Sequence, residues 1–220
     1  MIQLTRSGCF VSTTLSGSAE DAEFLRAQFR GQHCIRVPAL LGPGMLRAIQ
    51  QKVSEVDFRE RVHEGIGPNK ELCVAEENSL SHMLLFLVNN VGLFQFVETV
   101  TGCGPIGCFT GRVYRLVPGR GHHDSWHSDR GEHRMIAMSV NLSTGVYSGG
   151  ALQIRDRSSG QIVHEVANVG FGDAILFRLA DHLQHRLTEV EGDVPKTALA
   201  GWFCSRPDFF ALLKERSGQT

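Results

Sequence analysis

A chain of 220 residues, 42% hydrophobic and 20% charged with a formal net charge of −1, has material for one sizeable core and no charge excess to draw it to nucleic acid or an anionic membrane. No apolar run reaches membrane-spanning length, and "MIQLTRSGCFVSTTLSGS" makes a poor signal peptide, so neither membrane nor export is expected. The six cysteines are scattered without a CxxC, which points to free thiols in a reducing, cytoplasmic setting; a disulfide between the closest pair, Cys103 and Cys108, is not the expectation.

In chain order, residues 1–18 read either as a strand extending a sheet or as an arm. The stretch "AEDAEFLRAQFRGQ" (19–32) reads as a helix capped by Ser18, with Phe24, Leu25 and Phe29 near one face. "HCIRVPALL" (33–41) is a short strand ended by Pro38. "GPGMLRAIQQKVSEVDF" (42–58) has proline at an early helical position and Leu46, Ile49, Val53 and Val56 at helical spacing. Residues 59–78 are polar and punctuated by glycine and proline, the pattern of a long functional loop. "NSLSHMLLFLVNNVG" (78–92) is apolar nearly all round, hence a buried helix, and "LFQFVETVTG" (93–102) is a second short one. The apolar stretch 83–97 reads as core rather than as an interface, and the oligomeric state stays open.

Beyond residue 104 the pattern changes. Eight short β-like runs (107–117, 124–129, 134–143, 150–156, 161–167, 173–179, 185–190 and 196–204) alternate with turns such as Pro118-Gly119 and Gly149-Gly150. That rhythm belongs to a sandwich or jelly roll.

The densest chemistry is "GRGHHDSWHSD" (119–129). His127-Ser128-Asp129 is an HxD triplet, and in a strand residues i and i+2 share a side. A third ligand must come from elsewhere, with His182 and His185 as candidates. Two histidines and one carboxylate on one face of an ion leave sites open, which is the facial triad of non-haem Fe(II) oxygenases. Taken alone, HxD is as well read as a surface histidine beside a capping aspartate.

Four stretches in order add weight: "VYRLVPGRGHHDSWHSD", "MSVNLSTGVYSGGALQI", "VGFGDAILFRLADHLQHRLTEV" and "GDVPKTALAGWF". Together they resemble the 2-oxoglutarate/Fe(II)-dependent dioxygenases, specifically the prolyl-4-hydroxylase-like group, over residues 104–206. The resemblance implies an α+β fold, a double-stranded β-helix (jelly roll, cupin-like) at 104–206 with N-terminal supporting helices in 1–103 and a tail at 207–220. It implies Fe(II), 2-oxoglutarate and O2, with His127, Asp129 and His185 as metal ligands and His182 left on a turn, either facing solvent or supporting a ligand from behind. His122, His123 and Asp124 fall in a variable loop, where either histidine has a functional role or both are solvated.

The same resemblance assigns Lys196 to the distal carboxylate of 2-oxoglutarate. The alternation Lys196, Ala198, Ala200, Trp202 gives it small neighbours on its face, and a buried lysine without an anion is costly. Arg206 is the alternative cation, past the strand. Tyr114 and Asn141 are candidates to contact the co-substrate; Arg112, Arg155 and Trp126 are candidates to contact substrate. The implied activity is hydroxylation of a C–H coupled to decarboxylation of 2-oxoglutarate to succinate and CO2, and the retained Asp129 disfavours halogenation. The substrate is peptidyl if residues 59–78 form an open groove, or a small molecule if the pocket is closed and arginine-lined. The alternatives are a cupin-like Zn or Mn metalloprotein with no use for Lys196, and a vestigial sensor or binding module.

Overall fold

Local signals in the amino-terminal half set the helices. Ser18 Oγ accepts from Asp21 N at 3.1 Å while the Asp21 carboxylate accepts from Ser18 N at 3.4 Å, a reciprocal cap. Asn90 Oδ1 accepts from Leu93 N at 3.1 Å and separates two apolar helices that run on from each other in sequence. The computed structural model describes residues 2–7, 12–63, 69–76, 78–167 and 170–209. In chain order its elements are β1 (Gln3–Ser7), β2 (Ser12–Ser16), α1 (Ala19–Gln32), β3 (Cys34–Val37), α2 (Pro43–Ser54), β4 (Phe58–His63), β5 (Asn69–Val74), α3 (Ser79–Val88), α4 (Val91–Thr101), β6 (Cys108–Leu116), β7 (Asp124–His127), β8 (Arg134–Asn141), β9 (Ser148–Gly149), β10 (Leu152–Asp156), β11 (Ile162–Val166), β12 (Ala174–Arg178), β13 (Leu183–Leu187), β14 (Val190–Glu191) and β15 (Lys196–Cys204).

Two antiparallel sheets carry the fold. The larger has the order β3-β12-β8-β15-β6-β5-β4, the smaller β11-β10-β13-β7. Strand alternation divides the larger sheet's residues between two cores. Met138, Val140, Leu176, Leu199 and Phe203 pack with the helices on one side. Ala137, Ile175 and Phe177 meet Leu152, Ile154 and Leu183 of the smaller sheet on the other. The eight β-like runs beyond residue 104 are all strands of these two sheets, giving the double-stranded β-helix with its helices on one face.

Four expectations need correction. Residues 59–78 do not make a long loop: β4 and β5 pair as a hairpin that extends the larger sheet beyond β6, with 64–68 outside the described residues. Polar side chains hid it because residues 59–62 of the outer strand β4 are exposed on both faces. The amino terminus forms a two-stranded hairpin, β1-β2, tied to the body by Leu4 N donating to Leu40 O at 2.6 Å rather than extending the main sheet; residues 8–11 lie outside the described residues. In α1 Leu25 and Phe29 are buried and Ala22 packs beside them, while Phe24 is 64% exposed, one residue round from the buried stripe. Helix α2 stops at Ser54, because Phe58 already belongs to β4.

The tail beyond residue 209 lies outside the described residues. Cys103 and Cys108 are free thiols, as are Cys34, Cys73 and Cys204. Among the described residues no single helix is long and apolar enough to cross a membrane. Helices α3 and α4 pass only as a pair bent by 58°, and both bury residues in the core against the larger sheet.

Candidate metal and co-substrate site

Strands β7 and β13 are neighbours in the smaller sheet, with His127 opposite His185, so both imidazoles leave the same face. Their ring centroids are 4.2 Å apart. His127 Nδ1 lies 2.6 Å from the Ser125 carbonyl, which can only accept; Nδ1 therefore carries the proton and Nε2 is left to bind. Asp129 arrives by a route the alternation argument did not foresee. The strand ends at His127, and Asp129 has φ 51°, in the left-handed region that aspartate tolerates better than most residues. Its Oδ2 lies 3.4 Å from His127 Nε2 and 3.5 Å from His185 Nε2. Among the described residues these three form the cluster whose ligand atoms all lie within 4.8 Å of one another.

The electrostatics of the cluster fit a cation. Burial on its own would raise the Asp129 carboxyl, but hydrogen bonding to the two imidazoles holds it well below the usual carboxylate range. Burial also opposes a charge on His127, yet Asp129 and Asp124 outweigh it and push that imidazole up to about 9. His185 is lowered by its complete burial, with Asp129 opposing. One positive charge beside Asp129 is thus favoured, and two Nε2 atoms with one carboxylate oxygen are the donors a divalent transition metal takes.

The cluster opens into a cavity of about 270 Å³ between the sheets, whose wall includes Lys196, Tyr114, Leu116, Ser139, Ala200 and Trp202. Lys196 is 1% exposed; its Nζ donates to the Gly150 carbonyl at 2.6 Å and lies 5.7 Å from the centre of the Tyr147 ring. No described carboxylate comes within ion-pair distance, and burial lowers the ammonium to about 8. The cradle depends on Gly150, at φ 58°: a Cβ there would lie 3.1 Å from Lys196 Cδ. Tyr114 stands between Ala198 of β15 and Cys73 of β5 in register, buried on the cavity wall, and its phenol is raised by that burial. Arg206 is exposed and does not line the cavity.

Other candidates fall elsewhere. Asn141 is turned to the backbone: its Nδ2 donates to Gly170 O at 2.9 Å and its Oδ1 accepts from Ser143 N at 3.0 Å, away from the cavity wall. It closes the end of β8 instead of meeting a co-substrate. Trp126 and Arg155 are on the wrong face. Each neighbours in sequence a residue that points inward (His127 and Ile154), so strand parity sends both to the outside of the smaller sheet, where the guanidinium sits 4.3 Å over the indole. Arg112 does line the cavity, with its Nε and Nη2 at 2.8 and 2.7 Å from Glu71 Oε1.

His122 is buried with Nδ1 accepting from Val117 N at 3.0 Å, a staple for its turn, whereas His123 reaches the cavity wall. His182 is exposed on its turn. Three cavity residues were not read from the sequence as functional. Asp124 begins β7 rather than lying in a loop, its carboxylate 3.5 Å from His127 Nε2. Trp202 Nε1 donates to Asp129 Oδ2 at 3.0 Å, and the Arg134 guanidinium lies 3.5 Å over the Trp202 ring. The available signal was the position of Trp202 on the face of Lys196.

Fold and site together define a class: a double-stranded β-helix with a His-Asp-His cluster and a buried lysine in one cavity. Residues 111–204 match the model of the 2OG-Fe(II) oxygenase superfamily, so the resemblance read from the sequence holds; these enzymes use Fe(II), 2-oxoglutarate and O2. No curated protein matches the chain in sequence.

Solved structures are similar in fold. An oxidoreductase of the 2OG-Fe(II) oxygenase family from Burkholderia pseudomallei is 14% identical with a TM-score of 0.69, over 88% of this chain and 93% of its own. A Pseudomonas putida prolyl-4-hydroxylase is 17% identical with a TM-score of 0.61, over 84% and 99%. The non-heme alpha ketoglutarate dependent epimerase SnoN from nogalamycin biosynthesis is 15% identical with a TM-score of 0.64, over 89% of each chain.

Proposed function

We propose that this chain is a 2-oxoglutarate- and Fe(II)-dependent dioxygenase that hydroxylates a C–H of a small molecule. The observation that carries the reading is one cavity shared by the His127-Asp129-His185 cluster and a buried lysine with no carboxylate partner among the described residues. A lysine kept at 1% exposure without an anion is a cost that a bound dicarboxylate removes. A metalloprotein without 2-oxoglutarate has no use for it.

In this reading His127 Nε2, Asp129 Oδ2 and His185 Nε2 hold the iron. Lys196 binds the distal carboxylate, with Tyr114 on the wall beside it. Bound iron and 2-oxoglutarate supply the oxidising chemistry, with release of succinate and CO2. The chain's residues fix the geometry and exclude water: Leu116, Leu187 and Ala200 give the cavity that holds both the lysine and the triad an apolar wall. The β4–β5 hairpin supports a small molecule over a peptide. It contributes Arg61 and Glu71 to a cavity wall that also carries Arg112 and Arg134, the arginine-lined pocket that suits a small acid.

The test is succinate release from 2-oxoglutarate in air after anaerobic loading with Fe(II), in wild type, His185→Ala and Lys196→Ala. The expected result is turnover in wild type, none in His185→Ala, and a raised KM for 2-oxoglutarate in Lys196→Ala. Free amino and carboxylic acids, rather than prolyl peptides, are expected to accelerate it. If 2-oxoglutarate neither turns over nor perturbs the bound-metal spectrum, the Zn or Mn metalloprotein becomes the better account.

A further inference from the structure

The carboxylate of the cluster is the one donor not held by a strand ladder. Asp129 lies two residues past the end of β7, on a left-handed backbone. Left to itself, such a residue has several nearby conformations, and its carboxylate two equivalent oxygens. Two side chains remove that freedom. The Trp202 indole N–H donates to Oδ2, the same oxygen that faces both imidazoles. Arg134 Nη1 donates to the Asp129 backbone carbonyl at 3.3 Å and lies 3.9 Å from Oδ1. The Arg134 guanidinium in turn is stacked on Trp202, 3.5 Å from the ring centre.

Trp202 itself cannot easily shift. It sits inside β15, paired with Thr110 of β6 on one side and Ala137 of β8 on the other. The larger sheet therefore reaches across the cavity to a ligand carried by the smaller one.

We infer that Trp202 and Arg134 are positioning residues that brace Asp129, so that a single carboxylate oxygen meets the metal and the remaining coordination sites stay open. The inference rests on the proposed metal role of the cluster. The indole hydrogen bond occupies one side of Oδ2 and leaves its other lone pair for the ion, while the arginine fixes the backbone that carries it. Partners of this kind set metal affinity about as strongly as a factor of 10 to 100 when removed.

The experiment is an anaerobic Co(II) titration of the metal-free full chain, read by the d–d absorption band. It compares wild type, Trp202→Phe, Arg134→Ala, Arg134→Lys and His185→Ala, with the Tm of each metal-free chain alongside. Trp202→Phe keeps an aromatic ring for the guanidinium to stack on, at smaller size, and loses the N–H donor. It is expected to weaken Co(II) binding about 10-fold and to shift the d–d band, with metal-free Tm close to wild type. Arg134→Ala is expected to weaken binding similarly, and Arg134→Lys to recover part of the loss. Wild-type affinity and an unshifted band in Trp202→Phe, beside a band that His185→Ala abolishes, would overturn the brace while leaving the metal site standing. A wild-type chain that takes up no Co(II) through His185 would instead overturn the proposed function, and the brace with it.

Discussion

Burial gives Lys196 two opposed pH dependences. Its folded value of about 8 lies below the ordinary lysine value of 10.5, so between those limits the unfolded chain holds more protons. The metal-free fold should therefore gain stability as pH rises from 8 to 10.5, and lose that contribution as pH falls through 8. Co-substrate affinity runs the other way. The distal carboxylate needs the ammonium, so KM for 2-oxoglutarate should climb above pH 8. Urea midpoints and KM values across that range check both signs, and Lys196→Met should flatten both. Loss of a charge-assisted contact of about 1.5–3 kcal/mol places the KM increase in Lys196→Ala on the order of 10- to 100-fold. Asn141→Ala should behave differently, because its amide serves the backbone of two loops. We expect a stability loss of about 1–3 kcal/mol with KM for 2-oxoglutarate unchanged, measured by denaturant unfolding beside steady-state kinetics. The cluster itself was legible because His127 and Asp129 stand two apart in an HxD triplet and His185 opens a recognisable run. The brace was not, because Trp202 meets Asp129 across 73 positions and no local pattern encodes that hydrogen bond.

At the scale of elements, period and punctuation gave up most of the fold, and parity decided where the reading failed. Alternation along β8 puts the side chains of Met138 and Val140 in the core that holds the helices and Ser139 on the cavity wall. The same parity, applied from His127 to its neighbour, would have excluded Trp126 from the substrate side. Hairpin β4–β5 shows no clear alternation in sequence, because residues 59–62 of its outer strand are all exposed while adjacent Cys73 and Val74 are buried in different clusters on opposite faces of β5. The turn into β10 offers a direct test of an element acting on the site. Gly150→Ala puts a methyl group 3.1 Å from Lys196 Cδ and 3.0 Å from Val190 Cγ2 on a left-handed backbone. Gly160→Ala has a similar backbone, φ 71°, but nothing within 4 Å of the new carbon. Both should lose about 1 kcal/mol to backbone strain. Only Gly150→Ala should also raise KM for 2-oxoglutarate, by displacing the lysine; an equal rise in Gly160→Ala would mean that KM follows general stability rather than the cradle.

At the scale of the whole molecule, the site's donors divide between the two sheets. His127 and His185 stand on the smaller sheet and Lys196 on the larger, with the helices packed behind the larger one. Metal alone should therefore tighten the smaller sheet, and 2-oxoglutarate, reaching from metal to lysine, should tie the sheets together. A ligand at 100 times its Kd adds about 2.7 kcal/mol to a native state that alone binds it, which for a domain of this size moves Tm by roughly 5–10 °C. We expect Co(II) to raise Tm of the wild-type chain, and 2-oxoglutarate to raise it further only when Co(II) is present. Lys196→Ala should keep the first increment and lose most of the second at the same concentrations. His185→Ala should lose both. The order of these losses separates the two halves of the reading: a second increment that survives in Lys196→Ala would place the dicarboxylate elsewhere in the cavity, with Arg61, Arg112 and Arg134 as the arginines of its wall. A second increment that appears without metal would detach co-substrate binding from the triad altogether.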